Sequence, residues 1–389
     1  MNFIFFSPHF PQNSTDFCLA LKHAGANVLG IGDADYDVLN PVLKSALTEY
    51  YRVSNMEDYD QVLRATGFFT HKYGKIDRFE SLNEYWLELE ANIRTDFNIV
   101  GTKNDFIQNL KRKSLMKSFF EKAGVQTVQC HKYKDKKSAL KFIREVGFPV
   151  VVKPDSGSGA GFTYKIDNEA EFEAIVTDKH LQNTEFIIEE FVDGIILTYD
   201  GLVDIDGKIV FENSHLFEQS IMQVVNTDDN LYYFCLPDID PKVREAGRAI
   251  LKAFDVREKF FHLELFQRKR DNAIVALEMN MRPPGAWMTD AINYSHDTNI
   301  YKRWAEMIVQ RKADKQGKGK YFTGYASRKN RKNYDFSHED ILKTFGDKIL
   351  YFNEIEDIFS RAMGNRAYQF RTKTYDEAKA MVEYIQKEK

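Results

Sequence analysis

The sequence predicts an α/β protein built in three parts, and three observations lead there. Strand-like and helix-like segments alternate through the first hundred residues, the pattern of a doubly wound parallel sheet. A β-branched run then enters a glycine-rich loop at residues 153–161, the mark of a hairpin with a long tip. Two further strands, at 260–268 and 273–280, fold back on each other around Asp271-Asn272 and carry acids into apolar surroundings.

Composition bounds the rest. The 389 residues, 43% hydrophobic and 14% aromatic, supply more than one core. The 54 basic and 58 acidic residues leave a formal charge of −4, without the basic surplus that nucleic acid demands. Cys18, Cys130 and Cys235 form no CxxC pair and read as free thiols in a reducing compartment. The opening Met1-Asn2-Phe3-Ile4-Phe5-Phe6 lacks the basic flank of a signal peptide, and no apolar run is long enough to span a bilayer. The expectation is a cytoplasmic protein with neither nucleic acid nor membrane as partner.

Residues 3–7 read as the first strand, Ser14 opens a helix to about Ala24, and Gly25 ends it. A second strand at 28–32 leads into the loop Asp33-Ala34-Asp35-Tyr36-Asp37. Helices are expected at 57–66 and 82–94 and a strand at 98–101, which places a first domain at 1–110. Lys111-Arg112-Lys113 starts a helix that stops at Gly124. Arms at 150–153 and 162–165 form the hairpin, and 169–176 is helical. Strands follow at 186–191, 198–204 and 208–213, the last two joined by Asp206-Gly207. Pro241 begins a helix to 254, and another covers 299–310. The middle region, 111–312, divides into a part at about 125–190 and a larger one at about 191–312. Beyond a polar linker, 320–389 forms a small C-terminal α/β subdomain with helices at 337–344 and 376–387.

Three clusters carry chemistry. In the loop, Gly157, Gly159 and Gly161 alternate with Ser156, Ser158 and Ala160, which bares backbone N–H groups for an anion. Lys153 enters that loop from its strand, where a cation meets the same phosphates. No Gly-Lys-Ser/Thr is present and no helix follows, so neither the P-loop nor the dinucleotide fingerprint applies; alone, the loop is equally a flexible hairpin tip.

In the second cluster, Glu278, Asn280 and Arg282 share one strand face, and the turn brings Glu264 into the same space. Two carboxylates and an amide oxygen make a hard oxygen set suited to Mg²⁺, with Mn²⁺ as a substitute. Arg282 can offset charge that develops in phosphoryl transfer. A solvated Glu–Arg face is the alternative, but the flanking Phe, Leu, Ile and Val favour burial, where acids need a cation.

The third cluster, Phe186 to Gly194, ends an apolar strand in Glu189 and Glu190 and continues through Val192; its backbone can pair with an adenine edge, though on its own it is an ordinary strand end. Glu84 and His262 are weaker candidates, read as a solvated helix acid and a core histidine. Asp33, Asp35 and Asp37 lack the glycine and closing Glu of an EF-hand loop.

The order of these clusters behind a lysine helix gives a specific resemblance. From Lys113 to Gly285 the chain resembles an ATP-grasp domain, the fold of many carboxylate–amine and carboxylate–thiol ligases. Carrying it are Lys113-Ser-Leu-Met-Lys, Val-Val-Val-Lys153-Pro, the Ser-Gly-Ser-Gly loop, Glu-Glu-Phe-Val-Asp-Gly, Leu-Glu264-Leu and Leu-Glu278-Met-Asn280-Met-Arg282-Pro. Residues 1–110 resemble the Rossmann-like domain that usually precedes it, and the tail resembles the small domain that often follows in amino-acid and dipeptide ligases.

The resemblance implies ATP and Mg²⁺ as cofactors, with small carboxylate and amine substrates and a homodimer as one assembly such ligases adopt. It implies that Lys113 and Lys153 contact nucleotide phosphates under the loop 156–161, and that the backbone near Glu189 and Val192, beside Glu190, holds adenine. Glu264, Glu278 and Asn280 then hold Mg²⁺, Arg282 steadies an acyl phosphate, and Pro283 to Trp287 meets the carboxylate substrate. One departure stands out: relatives carry a ribose-binding acid where this chain has Gly194-Ile195-Ile196-Leu197, which leaves Asp200 as the nearest acid for ribose. The expected activity is an amino-acid or dipeptide ligase. The alternatives are a bicarbonate-activating enzyme of the carboxylase or carbamoyl-phosphate-synthase kind, and a non-catalytic nucleotide-binding module.

Overall fold

The computed structural model describes residues 1–157, 162–177, 184–285 and 287–389. Among them, β1 (Asn2–Phe6), β2 (Asn27–Gly32), β3 (Glu49–Arg52) and β4 (Arg78–Glu80) form a parallel sheet in the order β3-β2-β1-β4. Alternation along β1 sends Phe3 and Phe5 toward the helix Ser14–His23, and Ile4 and Phe6 toward the helix Tyr59–Tyr73. Both faces are covered, as the doubly wound reading requires. The strand expected at 98–101 is a turn instead, because Asn98 and Gly101 take left-handed φ values of +50° and +129°. β4 was not expected: its Arg78 and Glu80 are buried charges, held by Glu258 at 2.5 Å and Lys259 at 2.6 Å.

After β5 (Gln126–Thr127), which belongs to the largest sheet, a second sheet forms from β6 (Cys130–Lys132), β7 (Val150–Pro154), β8 (Tyr164–Ile166) and β9 (Phe186–Glu190). Its order is β6-β9-β7-β8, antiparallel throughout. Val150, Val152 and Ile188 pack on the helices Lys136–Val146 and Glu169–Val176. Strand alternation therefore turns Lys153 and Glu189 to the opposite face.

The third sheet adds β10 (Gly194–Val203), β11 (Ile209–Phe217), β12 (Tyr232–Leu236), β13 (Lys259–Arg268), β14 (Ile274–Asn280), β15 (Phe322–Arg328), β16 (Ile349–Glu354) and β17 (Arg366–Thr372). Its order is β16-β17-β15-β12-β11-β10-β13-β14-β5 among the described residues, so the tail extends this sheet through β15, β17 and β16. One face, with Leu263, Leu265 and Met279, packs on the helices Lys113–Lys122 and Pro241–Ala253. The other packs on Met288–His296, Ile300–Gln310 and Ser14–His23. Among the described residues no helix is long and apolar enough to cross a membrane.

Candidate functional site

β13 and β14 bring the acids together as alternation predicts. Glu264 stands directly opposite Glu278 and His262 opposite Asn280, so all four share the sheet face away from Leu263 and Leu265. A bulge follows immediately, where Leu265 pairs with Ala276 and Leu277 has no opposite number. Like charges directly opposite are unfavourable in an ordinary sheet, and this pair is compensated from two other elements.

One source is the lysine helix. Lys113 is the first residue of Lys113–Lys122, and its Nζ lies 3.0 Å from Glu278 Oε1 and donates to Gly157 O at 2.9 Å. No side chain of Arg112 caps this helix. Instead Asp155, two residues past Lys153, accepts from Ser114 N and Ser114 Oγ at 2.8 Å each. Asp155 thus anchors the glycine-rich loop to the N-terminus of the lysine helix. Among the loop residues, Ser156 and Gly157 are described; Ser158, Gly159 and Gly161 lie outside the described residues.

The second source is the small sheet. Lys153 on β7 sits 2.6 Å from Glu189 Oε2 on β9, and Lys117 sits 2.8 Å from Oε1. Burial opposes ionisation of Glu189, but these two ammonium groups outweigh it and hold its carboxyl down at about 2. The Glu189 side chain is thereby committed to Lys117 and Lys153. Glu190 accepts from Gln129 N at 3.0 Å, and Val192 is packed with Val128 and Val275.

Arg282 is held by an acid that follows β4. Its Nη2 and Nε donate to Glu84 Oε2 at 2.9 and 3.2 Å, although 198 residues separate the two. Glu84, read from sequence as a solvated helix acid, is only 8% exposed and belongs to the cluster. Burial pushes the Glu278 carboxyl up; Lys113 pulls against that, and the charges of Glu84 and Glu264 add to the rise. Glu264 keeps 29% of its side chain open, and although burial opposes it, His262, Arg282 and Lys153 hold its carboxyl below the usual range. Two carboxylates set opposite each other, with an amide one pair further along and one open edge, offer oxygen donors of the kind a divalent cation takes; Glu264, Glu278 and Asn280 would hold it.

Asp200 takes a different place from the one expected. It is fully buried, bonded to His262, His215 and Thr198, and both its oxygens are occupied. Such a side chain cannot reach out to a ribose, and Ile196, in the position of the missing acid, is packed in the core. Sequence reasoning also passed over Lys117, whose signal was its spacing four residues after Lys113, on the same helix face.

Lysines from a helix and from a small antiparallel sheet thus meet paired acids on a larger sheet. Residues 146–290 match the family model described as ATP-grasp domain, and the chain carries an ATP-grasp domain. It is 26% identical over 292 residues to a carbamoyl phosphate synthase large chain from Thermotoga sp. (strain RQ2). That alignment takes in 70% of this chain but 25% of the relative, so the chain spans about a quarter of that protein's length. Among solved structures, L-amino acid ligase from Bacillus licheniformis superposes with a TM-score of 0.74 at 15% identity, covering 98% of this chain and 95% of that one. The biotin carboxylase domain dimer of Hydrogenobacter thermophilus 2-oxoglutarate carboxylase, in complex with MgADP, ADP and bicarbonate, gives 0.70 at 14% identity, covering 97% and 87%.

Proposed function

We propose that this protein is an ATP-dependent ligase that activates a carboxylate as an acyl phosphate and passes the acyl group to an amine. The observation that carries this reading is the contact of Lys113 with Glu278: a helix before the small sheet meets the metal-suited acids of the large one, with Lys153 and Arg282 beside them. Without nucleotide the lysines and acids neutralise one another. With ATP present, Lys113 and Lys153 exchange carboxylate partners for phosphate oxygens, which are equally good acceptors.

The divalent cation, when bound, screens the negative oxygens of the β- and γ-phosphates. A substrate carboxylate oxygen attacks the γ-phosphorus and ADP leaves; the amine nitrogen then attacks the acyl carbon, inorganic phosphate leaves, and the amine gives up a proton. Arg282, pre-aimed by Glu84, offsets charge on the acyl phosphate at no cost of reorganisation. The segment Ser156–Gly157, tied to the lysine helix, excludes water that would hydrolyse the intermediate. An amino-acid or dipeptide ligase is the favoured member of this class, supported by the fold shared over nearly the whole chain with L-amino acid ligase. Three free cysteines suit a reducing, cytoplasmic setting.

The test is ADP release with Mg²⁺ across amino acids, singly and in pairs, with hydroxylamine present. A hydroxamate formed with stoichiometric ADP supports the reading. ADP formation that needs bicarbonate and yields no hydroxamate selects a bicarbonate-activating enzyme, a rival that the carbamoyl phosphate synthase relative keeps open. Nucleotide binding without turnover on any acid leaves a binding module.

A further inference from the structure

The acid pair does not stand alone on its sheet face. Thr198, Asp200 and His215, on β10 and β11, have no solvent exposure, and His262 on β13 has 3%. Asp200 is the register partner of His262, and Thr198 that of Glu264. Asp200 Oδ1 faces His262 Nδ1 at 2.6 Å; its Oδ2 accepts from Thr198 Oγ1 at 2.5 Å and faces His215 Nδ1 at 2.7 Å. An ionised carboxylate only accepts, so both imidazoles carry their proton on Nδ1 toward Asp200. The far nitrogen of His262, Nε2, lies 3.3 Å from Glu264 Oε1. The ring of His262 therefore stands between a buried carboxylate and the open one.

Burying a carboxylate is costly unless it is fully partnered, and both oxygens of Asp200 are. The arrangement meets that condition while fixing one oxygen of Glu264 and leaving the other oxygen of the same carboxylate unclaimed by the ring. The geometry points to Asp200 and His262 as a positioning pair: Asp200 fixes the ring plane of His262, and His262 orients Glu264, whose second oxygen is left free for a divalent cation. Neither residue touches the reacting atoms. The inference rests on the nucleotide reading of the site, and it gives Asp200 a task in place of the ribose contact. Outer partners of metal ligands typically change metal affinity by about 10–100-fold when removed.

The test uses the full chain with Mn²⁺ as probe. Binding of Mn²⁺ in the presence of ADP is read from the electron paramagnetic resonance of the free ion. ADP binding without metal is measured alongside, and near-ultraviolet circular dichroism reports the fold. His262→Leu is expected to weaken Mn²⁺ binding by about 10–100-fold, and His262→Gln, which offers an N–H toward Glu264, to recover most of that loss. Metal-free ADP binding and the circular dichroism of both should match the wild type. Asp200→Asn serves as a second route should the leucine variant not fold, and is expected to weaken Mn²⁺ binding at least about tenfold. Unchanged Mn²⁺ binding in His262→Leu or Asp200→Asn, with a wild type that binds, overturns the positioning role alone. Equal losses in the leucine and glutamine variants, with ADP binding and circular dichroism lost too, reduce His262 to packing and also overturn it. A wild type that takes up no Mn²⁺ with ADP overturns the nucleotide reading and this inference together.

Discussion

Glu264 and Glu278 face each other across β13 and β14, and the second of them is met by Lys113 from a helix more than 150 residues earlier in the chain. In the proposed ligase this contact is a resting arrangement, with the site's own acids in the place of phosphate. Replacing Lys113 or Lys153 by Met removes a charge-assisted partner of the nucleotide. Titration of ADP should show binding weakened by about 10–100-fold for each variant. An affinity equal to wild type in both would place the nucleotide elsewhere.

Glu84 reaches Arg282 from the other end of the sequence, so Glu84→Gln should loosen the guanidinium without touching the lysines. The expected result is a fall in kcat of about 10–100-fold with ADP affinity unchanged. Steady-state kinetics beside ADP titration separates the two; a loss confined to nucleotide affinity would contradict the assignment.

Glu189 gives the fold a pH dependence whose sign is fixed. Its folded carboxyl sits at about 2 against an ordinary value of 4.5, so the stability it contributes is present above 4.5 and is lost as pH falls toward 2. Glu189→Gln should unfold more easily than wild type at pH 7, by roughly 3 kcal/mol. That difference should shrink through the acid range in urea titrations taken at successive pH values. A gap that stays constant down to pH 2.5 would show that the lysines do not hold this acid.

The parallel sheet is fastened to the large sheet by buried ion pairs, Arg78 with Glu258 and Lys259 with Glu80, while Arg94 Nη2 lies 3.1 Å from Glu80 as well. Glu80→Gln takes the carboxylate from Lys259 and leaves Arg94 with Glu90, and should cost about 3–5 kcal/mol in thermal or urea unfolding. Because β4 leads directly to Glu84, the same variant should also lower kcat.

Much of this site was legible before any coordinates. Placing Glu264, Glu278 and Asn280 on one face needed only the two-residue period of strands and a turn at Asp271-Asn272, and the bulge does no harm because it begins after Glu264. Lys153 was read at the end of a strand, and it stands on β7; Ser158, Gly159 and Gly161 of the loop lie outside the described residues. What escaped has a common cause, which is partners distant in sequence. β4 carries two charges in three residues and drew no strand reading; its neutralising partners, Glu258 and Lys259, lie far along the chain. Glu84 looks like a surface acid until Arg282 is brought beside it. Asp200 is an acid in the right segment for ribose, but its direction on β10 points it at two histidines that no local pattern announces.

The most direct measurement follows one oxygen atom. An amino acid that supports turnover is labelled with ¹⁸O in its carboxylate, incubated with ATP, Mg²⁺ and the acceptor amine, and the inorganic phosphate is analysed by mass spectrometry. Transfer of one label to each phosphate released is the predicted result, because the carboxylate oxygen that attacks phosphorus departs with it. Unlabelled phosphate, released while the carboxylate keeps both of its oxygens, would contradict the acyl phosphate and the account built on it.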